Sequence, residues 1–265
     1  MKGQFYHMDF GKKVFIGTLI SNRAWVIPCY LRNLYAQTYP KHLCEILWIV
    51  NNSKDESLQL LNEFKQQHEH EYKRIRIQIY DSSGIPEDKR TVELREKFTY
   101  SWLAELRNRL LDEFLQTDCD YYLNCDSDIL MRKDCLERLI SHDKDFVAGL
   151  IYNGYLFADG TPHKYPNILK EYEPRKYKHV VNYRVKNPET NYDNPLIEIE
   201  FTGAINIVSR KVAKNSRYAW HKQGEDEPFC YSARQAGFRL WCDVYNYNQH
   251  IMSKDLLEQF KNFGV

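Results

Sequence analysis

The sequence predicts an α/β fold, a mostly parallel sheet with helices on both faces. Two observations lead there. Short β-rich runs alternate with helix-length amphipathic runs through the first half of the chain, the order of a doubly wound sheet. The first two strand-like runs are also apolar at nearly every position, as strands covered on both sides are.

Residues 13–20 (KVFIGTLI) read as the first strand, followed by a helix with apolar positions at 27, 31 and 34–35 and Pro28 in its first turns. Residues 44–50 (CEILWIV) form a second strand. Ser53 and Glu56 make an S-x-x-E capping box ahead of a helix bearing Leu58, Leu61 and Phe64. The strict alternation of 74–80 (RIRIQIY) predicts a third strand. A polar connection then leads to a helix over 99–117 with Trp102, Leu103, Leu106, Leu110 and Leu111 on one side, and strands follow at 120–124 and 145–151.

Beyond 152 the pattern changes. Residues 153–195 are rich in Tyr, Pro, Asn and Lys and lack a long periodic run, which predicts a mobile or functional segment. Order returns with LIEIEFTGAINIVS, a helix at 225–236 and a strand at 238–244. A division follows: residues 1–152 as one half, 153–252 as a second, and 253–265 as an amphipathic tail suited to peripheral membrane contact.

Composition removes several function classes. Of 265 residues, 43% are hydrophobic and only 11 are Gly and 9 Pro, enough for a sizeable core and unlike a low-complexity chain. The balance of 37 basic against 36 acidic residues argues against a nucleic-acid partner. No apolar run approaches the ~18 residues of a membrane span, and the N-terminus lacks a signal-peptide core. Seven cysteines without a C-x-x-C pair, most in apolar surroundings, fit buried thiols in a reducing compartment. The expectation is a soluble, cytoplasmic protein.

The chemistry gathers at carboxylates. In YYLNCDSDILM a buried strand ends at Asn124 and presents Asp126 and Asp128, separated by Ser127, where α/β sheets bind ligands. Two carboxylates so close suit a hard divalent ion, Mg²⁺ or Mn²⁺, shared with substrate phosphates; a solvated turn is the plainer alternative. EF-hand and zinc readings fail for want of a loop glycine and of Cys/His spacing. Glu225 and Asp226 precede Glu227-Pro228 at a helix start, so Asp226 is either an N-cap or a general base. His250 is a third element, a metal-ligand candidate only in company with the others. Tyr152, Tyr155, Tyr165 and Trp220 offer apolar plates with polar edges, candidates for stacking on a ligand.

Taken together, these segments resemble the GT-A-fold glycosyltransferases, closest in pattern to the inverting, nucleotide-sugar-dependent family 2 group, from about residue 13 to 252. KVFIGTLISNR is similar to the first strand and loop, which implies donor contacts for Thr18 and Arg23. IVNNSKDES resembles the segment that meets the base, implying Asn51, Asn52 and Asp55. LAELRNRLLDEFLQTDCDYYLNCDSD resembles the Arg-Asn helix and D-x-D strand, implying donor roles for Arg107, Asn108, Asp126 and Ser127. FTGAINIVSR is similar to the acceptor-side strand, implying Gly203 and Ala204, with Trp220 beyond it. GEDEPFCYSARQAGFRLWCDVYNYNQHI resembles the closing segment.

The resemblance implies transfer of a sugar from a nucleoside diphosphate, UDP favoured, to a hydroxyl of a glycan, lipid-linked or protein acceptor, with inversion. Asp128 and His250, with Asp126, would hold Mn²⁺ or Mg²⁺. Asp226 would act as base, with Glu225 as its alternative. A sugar nucleotidyltransferase would need a glycine-rich loop after the first strand, and LISNRAWVIP has none. A binding protein that keeps the fold without turnover is the non-enzymatic alternative.

Overall fold

A computed structural model describes residues 11–81, 99–156, 162–181 and 195–265. The four N-terminal strands are β1 (Val14–Ile20), β2 (Cys44–Val50), β3 (Arg74–Ile79) and β4 (Tyr121–Cys125); β5 (Ile129–Leu130), β6 (Phe146–Leu156), β7 (Pro162–Pro166), β8 (Ile168–Glu173) and β9 (Lys176–His179) follow. The last strands are β10 (Leu196–Ile199), β11 (Phe201–Thr202), β12 (Ile205–Ser209) and β13 (Leu240–His250). The helices are α1 (Ile27–Tyr35), α2 (Ser57–His68), α3 (Tyr100–Leu115), α4 (Cys135–Ser141), α5 (Arg210–Asn215), α6 (Asp226–Gln235) and α7 (Lys254–Phe260).

The large sheet runs in the order β10-β13-β6-β12-β4-β1-β2-β3, with β5 on β13 and β7 on β6. From β4 through β1 and β2 to β3 every pairing is parallel. That half follows from the all-apolar runs, because every residue of β2 is buried and β1 sends Val14, Ile16 and Ile20 to one face and Phe15 to the other. Truncating a fully buried ring such as Phe15 to alanine would cost roughly 3–5 kcal/mol. Beyond β4 the sheet is mixed, because β12 inserts antiparallel between β4 and β6, and β6 and β13 are parallel again.

Local signals fared unevenly. Pro28 lies in the first turn of α1 as expected, but the Ser53–Glu56 capping box does not form. Helix α2 starts at Ser57 without a side-chain cap. Ser53 Oγ instead accepts the Asn22 amide at 3.0 Å, and Ser57 Oγ accepts that of Arg23 at 2.9 Å. The loop after β1 outcompetes the helix for these hydroxyls. The segment 153–195, expected to be mobile or functional for want of a long periodic run, carries β7, β8 and β9; residues 157–161 and 182–194 of it lie outside the described residues. Strands β8 and β9 join β11 in a small separate sheet. All seven cysteines are free thiols, six of them buried.

The tail forms α7, and its apolar residues Leu256, Leu257, Phe260 and Phe263 pack on Val26, Leu130 and Ile251. The face expected to meet a membrane is therefore occupied from within. Among the described residues no helix is long and apolar enough to cross a membrane.

One buried carboxylate shapes the end of the sheet that matters for function. Asp243, fully buried, receives two bonds from Arg138 Nη2 at 2.7 and 3.0 Å and lies 3.0 Å from His142 Nε2. Its Oδ1 also accepts the amides of Tyr245 and Asn246 at 2.9 and 3.2 Å, where β13 shifts register against β6. Burial works against the charged form, but the His142 hydrogen bond and the Arg138 charge outweigh it and hold the carboxyl below its usual range. The stabilisation is thus present above the unfolded pKa of about 3.9 and is lost as pH falls through the lower folded value. Asp243→Asn should lose about 3 kcal/mol at neutral pH in urea unfolding, and the gap to wild type should narrow in acid.

Candidate active site

The carboxyl ends of β1, β4 and the loops beside them open into a cleft of about 960 Å³. Its lining includes Arg23, Arg107, Asp126, Ser127, Asp128, Gly203, Ala204, Glu225, Asp226 and His250. The sequence-predicted carboxylates and histidine therefore converge, although they come from the turn after β4, the end of β13 and the start of α6.

Arg107 is the hub. It projects from α3, nearly fully buried, and donates Nε to Glu225 Oε1 at 2.8 Å, Nη1 to Asn124 Oδ1 at 2.7 Å and Nη2 to Asp126 Oδ1 at 2.9 Å. Asp226 Oδ1 lies 3.9 Å from Nε, and the guanidinium carbon stands 5.7 Å from the centre of the Tyr218 ring. One cation thus faces three carboxylates. Burial raises the Asp126 carboxyl above its usual range against the opposing pull of Arg107, and the Asp128 charge adds to the rise. Asp226 is pushed well above the usual range by burial, with Glu225 and Asp126 adding repulsion that Arg107 only partly offsets.

Asp226 is the first residue of α6, not its N-cap: the cap position is Glu225, which makes no side-chain cap bond. A helix start should favour the charged carboxylate, yet burial among like charges wins here and leaves a more basic group. Room for it comes from Gly203, where a Cβ would run into the Asp226 carboxylate. Gly203→Ala should therefore leave the sheet folded while displacing Asp226, and kcat should fall on the order of a hundredfold. Turnover kinetics alongside a thermal melt would check this, and an unchanged kcat would refute it. The next residue, Ala204, holds a left-handed backbone at φ 70°, and its carbonyl accepts the Asp126 amide at 2.9 Å. Left-handed alanine is strained by on the order of 1 kcal/mol, a local distortion set directly beneath the D-x-D turn.

Asp128 and His250 meet through a ladder of two residue pairs. In it β5 pairs Ile129 with His250 and Leu130 with Gln249, and the Ile251 amide donates to Asp128 O at 2.8 Å. The pairing brings His250 Nε2 to 3.5 Å from Asp128 Oδ1, while Arg23 Nη2 lies 3.5 Å from Asp128 Oδ2. His250 Nδ1 is 2.6 Å from Asn153 Oδ1, and Nε2 faces Asp128. That second partner fixes the ring as metal-binding imidazoles are fixed. For Asp128, burial is outweighed by the His250 hydrogen bond and charge, and the carboxyl lies low. For His250, burial is outweighed by Asp128, and the imidazole is raised. Among the described residues, no three His, Cys, Asp or Glu side chains form a ready metal cluster, and Asp126 is turned to Arg107. The donor set is thus one carboxylate and one imidazole, a pair that fits a divalent ion completed by water and phosphate oxygens.

Several residues expected to touch the donor belong to the fold. Thr18 is buried, its Oγ1 3.0 Å from Tyr30 OH. Asn51 reaches the cleft edge, but Oδ1 accepts from Trp102 Nε1 at 3.1 Å and Nδ2 donates to Tyr80 O at 2.6 Å. Asp55 lies outside the cleft and accepts the amides of Ala24 at 2.8 Å and Ser57 at 3.1 Å. Asn108 also lies outside it and staples the Tyr218 backbone at 2.8 and 3.0 Å. The Asn52 amide donates to Asp81 Oδ1 at 3.3 Å, and its own side chain does not line the cleft.

Of the stacking candidates, Tyr165 lines the cleft, whereas Tyr152 packs edge-on against Tyr247 and Trp220 is exposed away from it. Tyr155 lies outside the residues whose side chains are described. Sequence reasoning missed Asn153, Asn167, His179 and Gln223, which line the same cleft; no spacing signal marks them, because they come from β6, the β7–β8 junction, β9 and the loop before α6.

Comparison with known proteins agrees with this architecture. The sequence model of a family described as Anp1 matches residues 2–179. No curated protein sequence matches the chain. Among solved structures, TarS of S. aureus (fragment 1–349) aligns over 89% of this chain and 60% of its own, with 18% identity and a TM-score of 0.54. The mannosyltransferase PcManGT from Pyrobaculum calidifontis, in complex with GDP-Man and Mn2+, aligns over 92% of this chain and 58% of its own, with 13% identity and a TM-score of 0.55. The same TarS fragment with UDP-GlcNAc gives 91% and 61% coverage, 18% identity and a TM-score of 0.52. The chain thus spans about 60% of the length of these structures, and at such identities the likeness is one of fold.

Proposed function

The chain belongs to the Anp1 family, a family of glycosyltransferases, and from that premise we propose that it transfers a hexose from a nucleoside-diphosphate sugar to an acceptor hydroxyl with the help of a divalent metal ion. The observation that carries the proposal is a single cleft in which the Asp128–His250 pair faces the Arg107 cluster of Asp126, Glu225 and Asp226.

Asp128 and His250 would hold Mn²⁺ or Mg²⁺, which when bound supplies positive charge for the leaving diphosphate. Arg23, 3.5 Å from Asp128, stands ready to pair with the same phosphates. Arg107 keeps Asp126 turned toward the donor sugar and ribose, and buries its own charge where negative groups gather. Asp226, raised in basicity and given clearance by Gly203, takes the proton from the attacking hydroxyl. A base on the acceptor side leads to inversion at the anomeric carbon. The configuration of the product tests this: a retained anomer would remove Asp226 from the role of base and leave it as a charge that stabilises the oxocarbenium-like transition state.

Of the residues expected to meet the base, Asn51 is bonded to Tyr80 and Trp102, and Asp55 to Ala24. The solved neighbours hold either nucleotide, GDP-Man in PcManGT and UDP-GlcNAc in TarS, so it is membership of a mannosyltransferase family that favours GDP-mannose. Thermal stability with GDP or UDP, each with and without Mn²⁺, decides between them. Nucleotide at a hundredfold its Kd should add about 2.7 kcal/mol, with GDP giving the metal-dependent shift and Asp128→Asn abolishing it. No shift with any nucleotide in folded protein would overturn the transferase reading.

A further inference from the structure

The first turn of α6 is attached to the small β11-β8-β9 sheet at two consecutive residues. Asp226 abuts Gly203, the residue after β11. Glu227, completely buried, turns the other way, accepting Arg175 Nε at 3.0 Å and Tyr177 OH at 2.8 Å, with Arg175 Nη2 on its second oxygen.

Arg175 sits in the β8–β9 turn with a left-handed backbone, φ 55°, and its amide donates to Glu171 Oε1 at 2.6 Å. Its guanidinium lies 4.6 Å from the centre of the Tyr231 ring on α6. Arg234, also on α6, closes the network by donating to Glu171 Oε2 at 2.6 Å and to Tyr177 OH at 2.9 Å. The same hairpin carries Leu169 and His179 into the cleft. Only the Glu227 end of this pair is buried, the Arg175 side chain being 41% exposed, and a half-exposed pair adds little stability by itself. What it provides is direction: forked bonds that permit one relative position.

We propose that the Arg175–Glu227 pair is a latch that fixes the acceptor-side wall of the cleft relative to Asp226, making both positioning residues for transfer to an acceptor rather than for donor binding. The inference rests on the transferase reading above. No donor-side group takes part in it: Arg107, Asp128 and His250 make no contact with Glu227 among the bonds and ion pairs of the described residues. Releasing the latch loosens the wall that orients the attacking hydroxyl, while water, which needs no orienting wall, still reaches the donor. Transfer should suffer and donor hydrolysis should not.

The test uses Arg175→Asn, which tolerates the left-handed backbone but is too short to reach Glu227, with Arg175→Lys as the conservative variant. GDP-mannose hydrolysis and transfer to methyl α-D-mannopyranoside are measured with Mn²⁺, and hydrogen exchange is followed over residues 168–179. The expected result is a roughly tenfold or larger loss of transfer for Arg175→Asn, unchanged hydrolysis, faster exchange in the hairpin and partial recovery in Arg175→Lys. Equal loss of transfer and hydrolysis, or unchanged exchange in the hairpin, overturns the latch. Wild-type protein that turns over no donor overturns the transferase reading instead, and the exchange result, which needs neither donor nor acceptor, still decides whether the latch holds the hairpin.

Discussion

Arg107→Met is expected to lower stability by about 3–5 kcal/mol at neutral pH and to abolish turnover. Methionine fills much of the space, so the loss is one of charge. Without the guanidinium, Glu225 and Asp126 lose direct bonds of 2.8 and 2.9 Å, and Asp226 loses the cation 3.9 Å away. Asp126 and Asp226 already lie above the usual carboxylate range through burial, and Arg107 is the main influence pulling both down. Its removal drives both further up. Carboxylates with folded pKa values above the unfolded value of about 3.9 favour the folded state at low pH, and that advantage disappears as pH rises through the folded values. The variant should therefore be less destabilised near pH 5 than near pH 7.5, as urea unfolding at the two pH values would read. A penalty that grows in acid would contradict this account of the cluster.

Asp226→Asn should reduce kcat by roughly 10²–10⁴-fold, the usual contribution of a positioned general base, with little change in metal-dependent nucleotide binding. The substitution is nearly isosteric against Gly203 and removes one negative charge from a crowded set, so the protein should be as stable as wild type or more so. The combination of lost turnover, retained nucleotide-induced stabilisation and undiminished melting temperature is specific to a chemical role. A fall in kcat of less than tenfold would move the proton transfer to another group.

The sequence made the strands and the reactive carboxylates legible because both depend on local pattern. Seven-residue apolar runs, too short for a buried helix and rich in β-branched residues, fit strands buried on two faces, and β1 and β2 are such strands. Asp126, Asp128 and Asp226 were visible because carboxylates beside buried segments must be compensated. Polar side chains that serve the backbone were not separable from those that serve a ligand. Asn51, Asp55 and Asn108 have the residue types of donor contacts, yet each spends its hydrogen-bonding groups on loops and helix ends distant in sequence. The antiparallel insertion of β12 was equally hidden, since a buried strand has the same composition whichever way it runs. His179 and Gln223 reach the cleft through tertiary placement alone.

The short pairing of β5 with β13 has a consequence for how the protein is made. Asp128 and His250 lie at opposite ends of the chain's second half, and a few contacts join them: the pairs Ile129–His250 and Leu130–Gln249, the Ile251 amide on the Asp128 carbonyl, and Arg132 on Asn248 and Tyr245. Closing so long a loop for so few contacts is unfavourable until the intervening strands are in place. During synthesis the parallel strands β1 to β4 can assemble while His250 is still untranslated. The ribosome therefore completes the parallel half of the sheet well before the Asp128–His250 pair of the proposed metal site can form.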